Sequence, residues 1–371
     1  VSIEPARFRQ KNRCYASPVP DKLPNSGSWA LGGTLSAGEA KWSLAIISAS
    51  FDVLTFWSLM PALICGSVAY DTIMVFHGRF GTHILPDQIH ILNVSFLVPD
   101  MRREFGGTAG NIAYNLRLLG GEPVVMATVG DDFGPYRERF DQLGISRKHI
   151  REIPGTFVPQ AFITTDLDAN QITAFHPGAM SSSYLNKVSD ASDITIGILA
   201  PDSRDGMLQH AEQFHDAKIP FIFDPGQAMP IFNGDELRHF IELADYVAVN
   251  DYEARILEDQ IGEPIEKLAT RVRAFFVTKG AEGSVVYADG QQIAIPSVKE
   301  NRRVDPTGCG DAYRSGLLYG IERGWSWEKI ARLANTMGSI KIEVRGPQGH
   351  SPTREEIAQR YESAFDESLW G

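Results

Sequence analysis

From residue 62 onward the chain alternates two kinds of apolar spacing. Short continuous apolar runs read as buried strands: ALICGS (62–67), VVMATVG (124–130), ITIGILA (194–200), FIFD (221–224), YVAVN (246–250) and AFFVTKG (274–280). Between them, GMLQHAEQFHDA, DELRHFIELA and YEARILED place apolar residues at helical spacing. This alternation predicts a mostly parallel sheet covered by helices on both faces. Further on, Ser326 is an N-cap for WEKIARLANTMGSIKIEV, and Thr353 with Glu356 makes a capping box for REEIAQRYESAF.

Two segments break the rhythm. DQIHILNVSFLVPD (87–100) and QAFITTDLDANQITAF (160–175) are strand-like without intervening helices, the second with the pattern of a hairpin turning at Asp168-Ala169-Asn170. They predict a small β lid over the strand ends, with lid segments at about 72–105 and 157–178. The alternative is an antiparallel extension of the main sheet. Over 88–98 apolar residues fall on both faces, Ile89, Ile91 and Leu97 on one and Leu92, Val94, Phe96 and Val98 on the other. That pattern predicts a homodimer made through the lids. Residues 1–59 show neither period, so the expectation is an extension ahead of a functional start at Met60 and a single folded domain over 60–369. A chain beginning at Met60 should then fold and work normally.

Composition narrows the function classes. The 371 residues are 43% hydrophobic and 22% charged, an ordinary globular balance able to bury a large core. A formal net charge of −11 argues against nucleic acid or an anionic membrane as partner. Cys14, Cys65 and Cys309 have no CxxC spacing, and the nine histidines are scattered, which argues against a disulfide framework or structural zinc and for a cytoplasmic setting.

The candidate chemistry lies in three glycine-rich or acidic stretches. GGTAGN (106–111) precedes the helical IAYNLRLL, with Gly107 allowing close backbone approach and Asn111 offering both a donor and an acceptor. Asp71, in GSVAYD after the first strand, could accept from a vicinal diol. DPTGCGDAYRSG (305–316) is the strongest signal. Amides of Gly308, Cys309 and Gly310 leading into a helix would form an anion nest, with Asp311 beside it as a base ionised at its ordinary pKa of about 3.9. Such a nest suits a transferring phosphoryl group. The chain has neither GxxxxGK[ST] nor the HRD and DFG of protein kinases.

Together, DPTGCGDAYRSG and GGTAGNIAYNLRLLG resemble the C- and N-terminal signatures of the ribokinase-like (phosphofructokinase-B) sugar and nucleoside kinases. NDYE (250–253) matches that family's NxxE motif, VTKGAEGSVVY is similar to its ATP-side strand–turn–strand, and the resemblance runs from about Met60 to Phe365. It implies a three-layer α/β/α sandwich with a mostly parallel central sheet and a small β lid. Within the family, HGRFGTHILPDQIHILNVSFLVPD, TTDLDANQITAFHPGAMS and DPGQ resemble bacterial adenosine kinases. The resemblance then implies that Ser67, Asp71, Gly107 and Asn111 hold the ribose, that Phe175 stacks on the purine, and that Gln227 borders the pocket. It implies Asp311 as the base for the 5′-hydroxyl, with Gly308, Cys309 and Gly310 in the nest. Asn250 and Glu253 would organise Mg²⁺ through water, Thr278, Gly280 and Gly283 would line the ATP phosphate path, and Asp305 and Thr307 would ligate a monovalent cation such as K⁺. Cys309 stands where alanine is common, and Ala161 where an aromatic is common.

The leading expectation is ATP-dependent phosphorylation of adenosine to AMP. A sugar kinase of the same mechanism, acting on ribose or fructose, is the second reading. An inactive nucleoside-binding regulator is the third, and the joint presence of Asp311, Asn250 and Glu253 argues against it.

Overall fold

The computed structural model describes residues 61–84, 93–168 and 170–370. The readings of residues 1–59 and of Met60 as a start lie outside the described residues. Nine strands make one sheet: β1 (Pro61–Cys65), β4 (Glu122–Val129), β5 (Ser146–Glu152), β8 (Ile196–Leu199), β9 (Phe221–Phe223), β10 (Tyr246–Asn250), β11 (Ala274–Thr278), β12 (Ser284–Ala288) and β13 (Gln291–Ile295). Their order is β13-β12-β11-β10-β9-β8-β1-β4-β5, parallel from β11 to β5, with β12 and β13 antiparallel at one edge.

Period-2 alternation explains how the helices cover this sheet. Along β1, Ala62 and Ile64 join a core with α1 (Thr108–Leu118), α2 (Gly134–Leu143), α7 (Cys309–Glu322), α8 (Trp327–Lys341) and α9 (Arg354–Phe365), while Leu63 and Cys65 point to the opposite face. That face packs on α3 (Arg204–Asp216), α4 (Gly234–Leu243), α5 (Asp251–Ile261) and the short α6 (Ile265–Leu268). The caps read from sequence are in place: Ser326 Oγ accepts from the Lys329 amide, and Thr353 and Glu356 bond reciprocally. The chain runs outward from β1 to β4 on one side and begins its other run at β8 on the other. The carboxyl ends of β1 and β8 therefore flank the crevice where open α/β sheets bind ligands.

The remaining strands, β2 (Ala69–Val75), β3 (Asp100–Gly106), β6 (Gln160–Thr165) and β7 (Gln171–His176), form a separate sheet in the order β3-β2-β6-β7. β6 and β7 are the expected hairpin. Two expectations change here. Residues 93–99 form no strand, and the first half of the expected two-faced strand, residues 88–92, lies outside the described residues, as do residues 85–87. The strand is instead DMRREFG, whose charged residues hide it from an apolar-run reading; it pairs antiparallel with β2. Asp71, expected at the end of the first strand, sits inside β2. No helix among the described residues is long and apolar enough to cross a membrane.

Candidate active site

Helix α7 is preceded by Gly308 at its N-cap, whose φ of +83° puts it in the left-handed region, and a Cβ there would lie 2.7 Å from the Pro347 Cβ. Only glycine fits that turn. The expectation of three available amides needs correction: the Cys309 N–H donates to the Pro306 carbonyl at 3.1 Å. The amides of Gly308 and Gly310 have no acceptor among the described residues and remain at the positive end of the helix dipole. Burial pushes the Cys309 thiol up to about 11, so it stays protonated at neutral pH.

Asp311 follows in the first turn. Its Oδ2 accepts a hydrogen bond from Asn111 Nδ2 at 2.8 Å. Burial, then the negative charges of Asp224 and Asp71, raise its pKa to about 7 against the lowering pull of Asn111 and Arg314. An ordinary carboxylate pKa was the expectation from sequence; desolvation in this crevice overturns it and places the group near neutrality, where a general base is best matched. Asn111 is aimed by a chain of bonds behind it. Gln348 Nε2 donates to Asn111 Oδ1 (3.1 Å) and to Tyr136 Oη (2.7 Å), and Tyr136 Oη donates to the Gly106 carbonyl (2.8 Å).

One turn further along α7, Arg314 forms a bidentate pair with Asp224, Nε to Oδ2 at 3.1 Å and Nη2 to Oδ1 at 2.8 Å, and also donates to the Ala248 carbonyl at 3.1 Å. Both side chains are buried, so each charge depends on the other. Asn250 and Glu253 form a reciprocal capping box at the start of α5, each bond 2.8 Å long. That leaves Glu253 Oε1 without a protein donor among the described residues, and Glu253 is one of the residues that line the cavity. Burial raises the Glu253 pKa, with Arg314 opposing.

The small sheet supplies the other wall. Asp71, Ala161 and Phe175 are register partners on one face of β2, β6 and β7, and all three line the cavity. Burial, then Glu104 and Asp305, push the Asp71 carboxyl up to about 6. Gly107 holds the junction with a φ of +82°, and a Cβ there would come within 2.5 Å of the Ala69 nitrogen. Ser67 Oγ accepts from the Thr108 amide at 3.1 Å and so caps the entry to α1.

These parts enclose a cavity of about 970 Å³, lined by Ser67, Asp71, Gly107, Asn111, Phe175, Gln227, Asn250, Glu253, Thr278, Gly280, Thr307, Gly308, Gly310 and Asp311. A second cavity of about 250 Å³ is lined by Gly283, Cys309 and Tyr313 and shares Thr278, Gly280, Pro306 and Gly310 with the first. Asp305 lines neither. Its carboxylate oxygens accept from the Thr307 amide (2.9 Å) and the Gly346 amide (2.8 Å), and its carbonyl accepts from Lys341 Nζ (2.7 Å). No cluster of three or more acidic, histidine or cysteine side chains able to hold a metal ion exists among the described residues.

Comparison with known proteins fits this geometry. The profile of the pfkB family of carbohydrate kinases matches residues 77–354. The chain belongs to the pfkB family of carbohydrate kinases. A nucleoside kinase of Methanocaldococcus jannaschii is 31% identical over 272 residues, 73% of this chain and 89% of the relative. The solved nucleoside kinase of Burkholderia thailandensis in complex with inosine is 53% identical, with a TM-score of 0.76 over 83% of this chain and 99% of that one. The ribokinase of Bacillus subtilis is 26% identical over 68% of this chain and 86% of its own length. The fold is therefore the ribokinase-like α/β sandwich, and the activity class is that of a nucleoside or sugar kinase.

Sequence reasoning missed several parts of this kinase's site. Arg314 and Asp224 carried a readable signal: Arg314 lies three residues past Asp311, on the same face of α7, and Asp224 directly follows strand β9 on the ligand side. Tyr252, Met180 and the buried Asp202 also line the cavity, and no local spacing marks them.

Proposed function

We propose that this protein is an ATP-dependent kinase that phosphorylates the 5′-hydroxyl of a purine nucleoside, adenosine among its substrates. The observation that carries the reading is the juxtaposition of a desolvated carboxylate, Asp311, with two acceptor-free amides at a helix start, opposite a sheet face that offers Asp71 and Phe175 together. The inosine found in the relative at 53% identity supports a nucleoside over a free sugar and favours breadth among purines. The related complex with ADP and inosine, 55% identical, supports ATP as donor.

In this reading Asp71 accepts from the ribose hydroxyls, Ser67, Gly107 and Asn111 shape that end of the pocket, and Gln227 borders it. Phe175, 52% exposed on β7, lies ready to stack on the base. Asp311 takes the 5′-hydroxyl proton as the oxygen attacks the γ-phosphorus. The new O–P bond forms, the bond to the β–γ bridging oxygen breaks, and the proton leaves Asp311 for solvent once ADP and the nucleoside monophosphate form. The amides of Gly308 and Gly310 stabilise charge on the transferred group. Thr278, Gly280 and Gly283 line the way between the two cavities and would hold the donor's phosphates. The Mg²⁺ that accompanies ATP supplies charge neutralisation, and Glu253 with its unpartnered Oε1, next to Asn250, fits holding its water shell.

The four-stranded sheet acts as the lid, and its outer face exposes Met101, Phe162 and Ile172, which suits pairing of two copies. ADP release measured with adenosine, inosine, ribose and fructose tests the substrate. The nucleosides should give the highest kcat/KM; preference for a free sugar would overturn the assignment.

A further inference from the structure

Lys341 ends α8 with no exposed surface, yet no carboxylate among the described residues pairs with it. Its Nζ instead donates to two main-chain carbonyls, Asp305 at 2.7 Å and Val344 at 3.1 Å. Burial lowers its pKa while the negative charges of Asp305, Asp311 and Glu104 pull the other way. A dry positive charge served by carbonyl oxygens is what a dehydrated monovalent cation requires. The position also lies at the negative end of the α8 dipole.

The two carbonyls belong to segments that shape the catalytic turn. Asp305 begins the stretch that leads through Pro306 and Thr307 into Gly308, and Val344 begins the loop that packs Pro347 against Gly308. The Asp305 carboxylate ties the same two segments a second time, through the amides of Thr307 and Gly346. The amides of Val304 and Asp305 both donate to the Ile342 carbonyl, at 2.9 and 3.1 Å. A cation ligated by Asp305 and Thr307 does not fit this arrangement: the carboxylate is occupied by amides, and the Asp305 carbonyl already receives an ammonium.

We propose that the Lys341 ammonium is a built-in monovalent cation, which braces the turn carrying Gly308, Gly310 and Asp311 and frees the enzyme from any need for K⁺. Lys341 is thus a positioning residue, acting on the transferred phosphoryl group through the turn. A small residue in its place would leave an oxygen-lined hole that K⁺ or NH₄⁺ could fill.

The inference rests on the kinase reading for its rate measurements and is independent of it for its thermal ones. Rate and Tm of the wild-type protein are measured in KCl, NaCl and tetramethylammonium chloride at equal ionic strength. The three rates should agree within about twofold and the Tm values within about 1 °C, because Lys341 already occupies the Asp305 and Val344 carbonyls that K⁺ would have to reach. Activation by K⁺ of more than about tenfold, or a K⁺-specific rise of several degrees in Tm, would overturn the proposal. K341A should lose about tenfold or more in kcat in tetramethylammonium chloride, regain most of it in KCl or NH₄Cl, and show a Tm that climbs with K⁺. K341M, which fills the hole without charge, should stay slow in every salt. A K341A protein indifferent to K⁺ in both rate and Tm would also overturn it. If K341A does not fold, the wild-type salt series decides alone. If no nucleoside is turned over at all, the kinase reading fails while the Tm series still judges Lys341.

Discussion

Strands β10 and β7 are close in length and opposite in environment. β10, YVAVN, is buried at four of its five residues and contributes Asn250 at its end; β7, QITAFH, is exposed at all six and contributes Phe175 from within the strand. The large sheet must bury both faces to exist, so whatever it offers a ligand comes from strand ends and helix starts. The small sheet keeps one face for the cavity, so residues within its strands are available. This difference divides the work. The large sheet and α7 hold Asp311, Arg314 and the Gly308 turn, where positions are fixed by close packing. The small sheet holds Asp71 and Phe175, where contact depends on what enters. Changes on the first side should strike turnover, and changes on the second should strike recognition.

The largest effect should come from Asp311→Asn, which keeps the Asn111 neighbourhood and removes the base: kcat with a nucleoside should fall by about 10³–10⁴, measured as ADP release. Asp71→Asn is next. It exchanges a pure acceptor for a mixed donor–acceptor on the sugar side, and kcat/KM should fall by about 10², with a larger share in KM than for Asp311→Asn. Phe175→Ala should raise KM by about tenfold and leave kcat within about twofold, the worth of one base–aromatic contact. A Phe175→Ala protein with unchanged KM but crippled kcat would erase the division between the two walls.

The pH behaviour sharpens the same contrast. Asp311 must be ionised to accept a proton, so kcat/KM should rise with pH to a plateau above an apparent pKa near 7, with a second, lower ionisation near 6 from Asp71. Stability runs the opposite way. A carboxyl whose folded pKa is raised binds its proton more tightly folded than unfolded, so it helps folding at low pH and that help is lost as pH rises from about 4 through about 7. Asp311→Asn, which never ionises, should therefore melt about 2–4 °C above wild type at pH 8, a gap that closes toward pH 4. This is the smallest effect, and ligand-free melting curves at the two pH values read it.

The two regions also differed in how much their sequences disclosed. Strands such as β1 and β10 are legible because burial on both faces demands a continuous apolar run, and no other element of that length needs one. β3 escaped because DMRREFG spends its side chains on charge: Arg102 pairs with Glu104, and Arg103 lies over the Tyr70 ring. Asp311 and its glycines were readable because a left-handed turn and a dipole-facing carboxylate constrain residue type locally. The raised pKa of Asp311 was not, since it depends first on burial in the assembled crevice and then on Asp224 and Asp71, brought in by distant strands. Asn250 and Glu253 illustrate the reverse case. Their spacing is that of a metal-organising motif and equally that of a capping box, and the fold uses it at least as the second. Lys341 carried no signal at all, being one more basic residue at a helix end until its two carbonyl partners are in place.

The division of labour is tested most directly by nucleoside binding to the Asp311→Asn protein, measured by calorimetry without ATP. Its Kd should lie within about threefold of wild type while turnover is lost. A Kd weakened by more than about tenfold would contradict the account, since Asp311 would then be reading the substrate rather than acting on it.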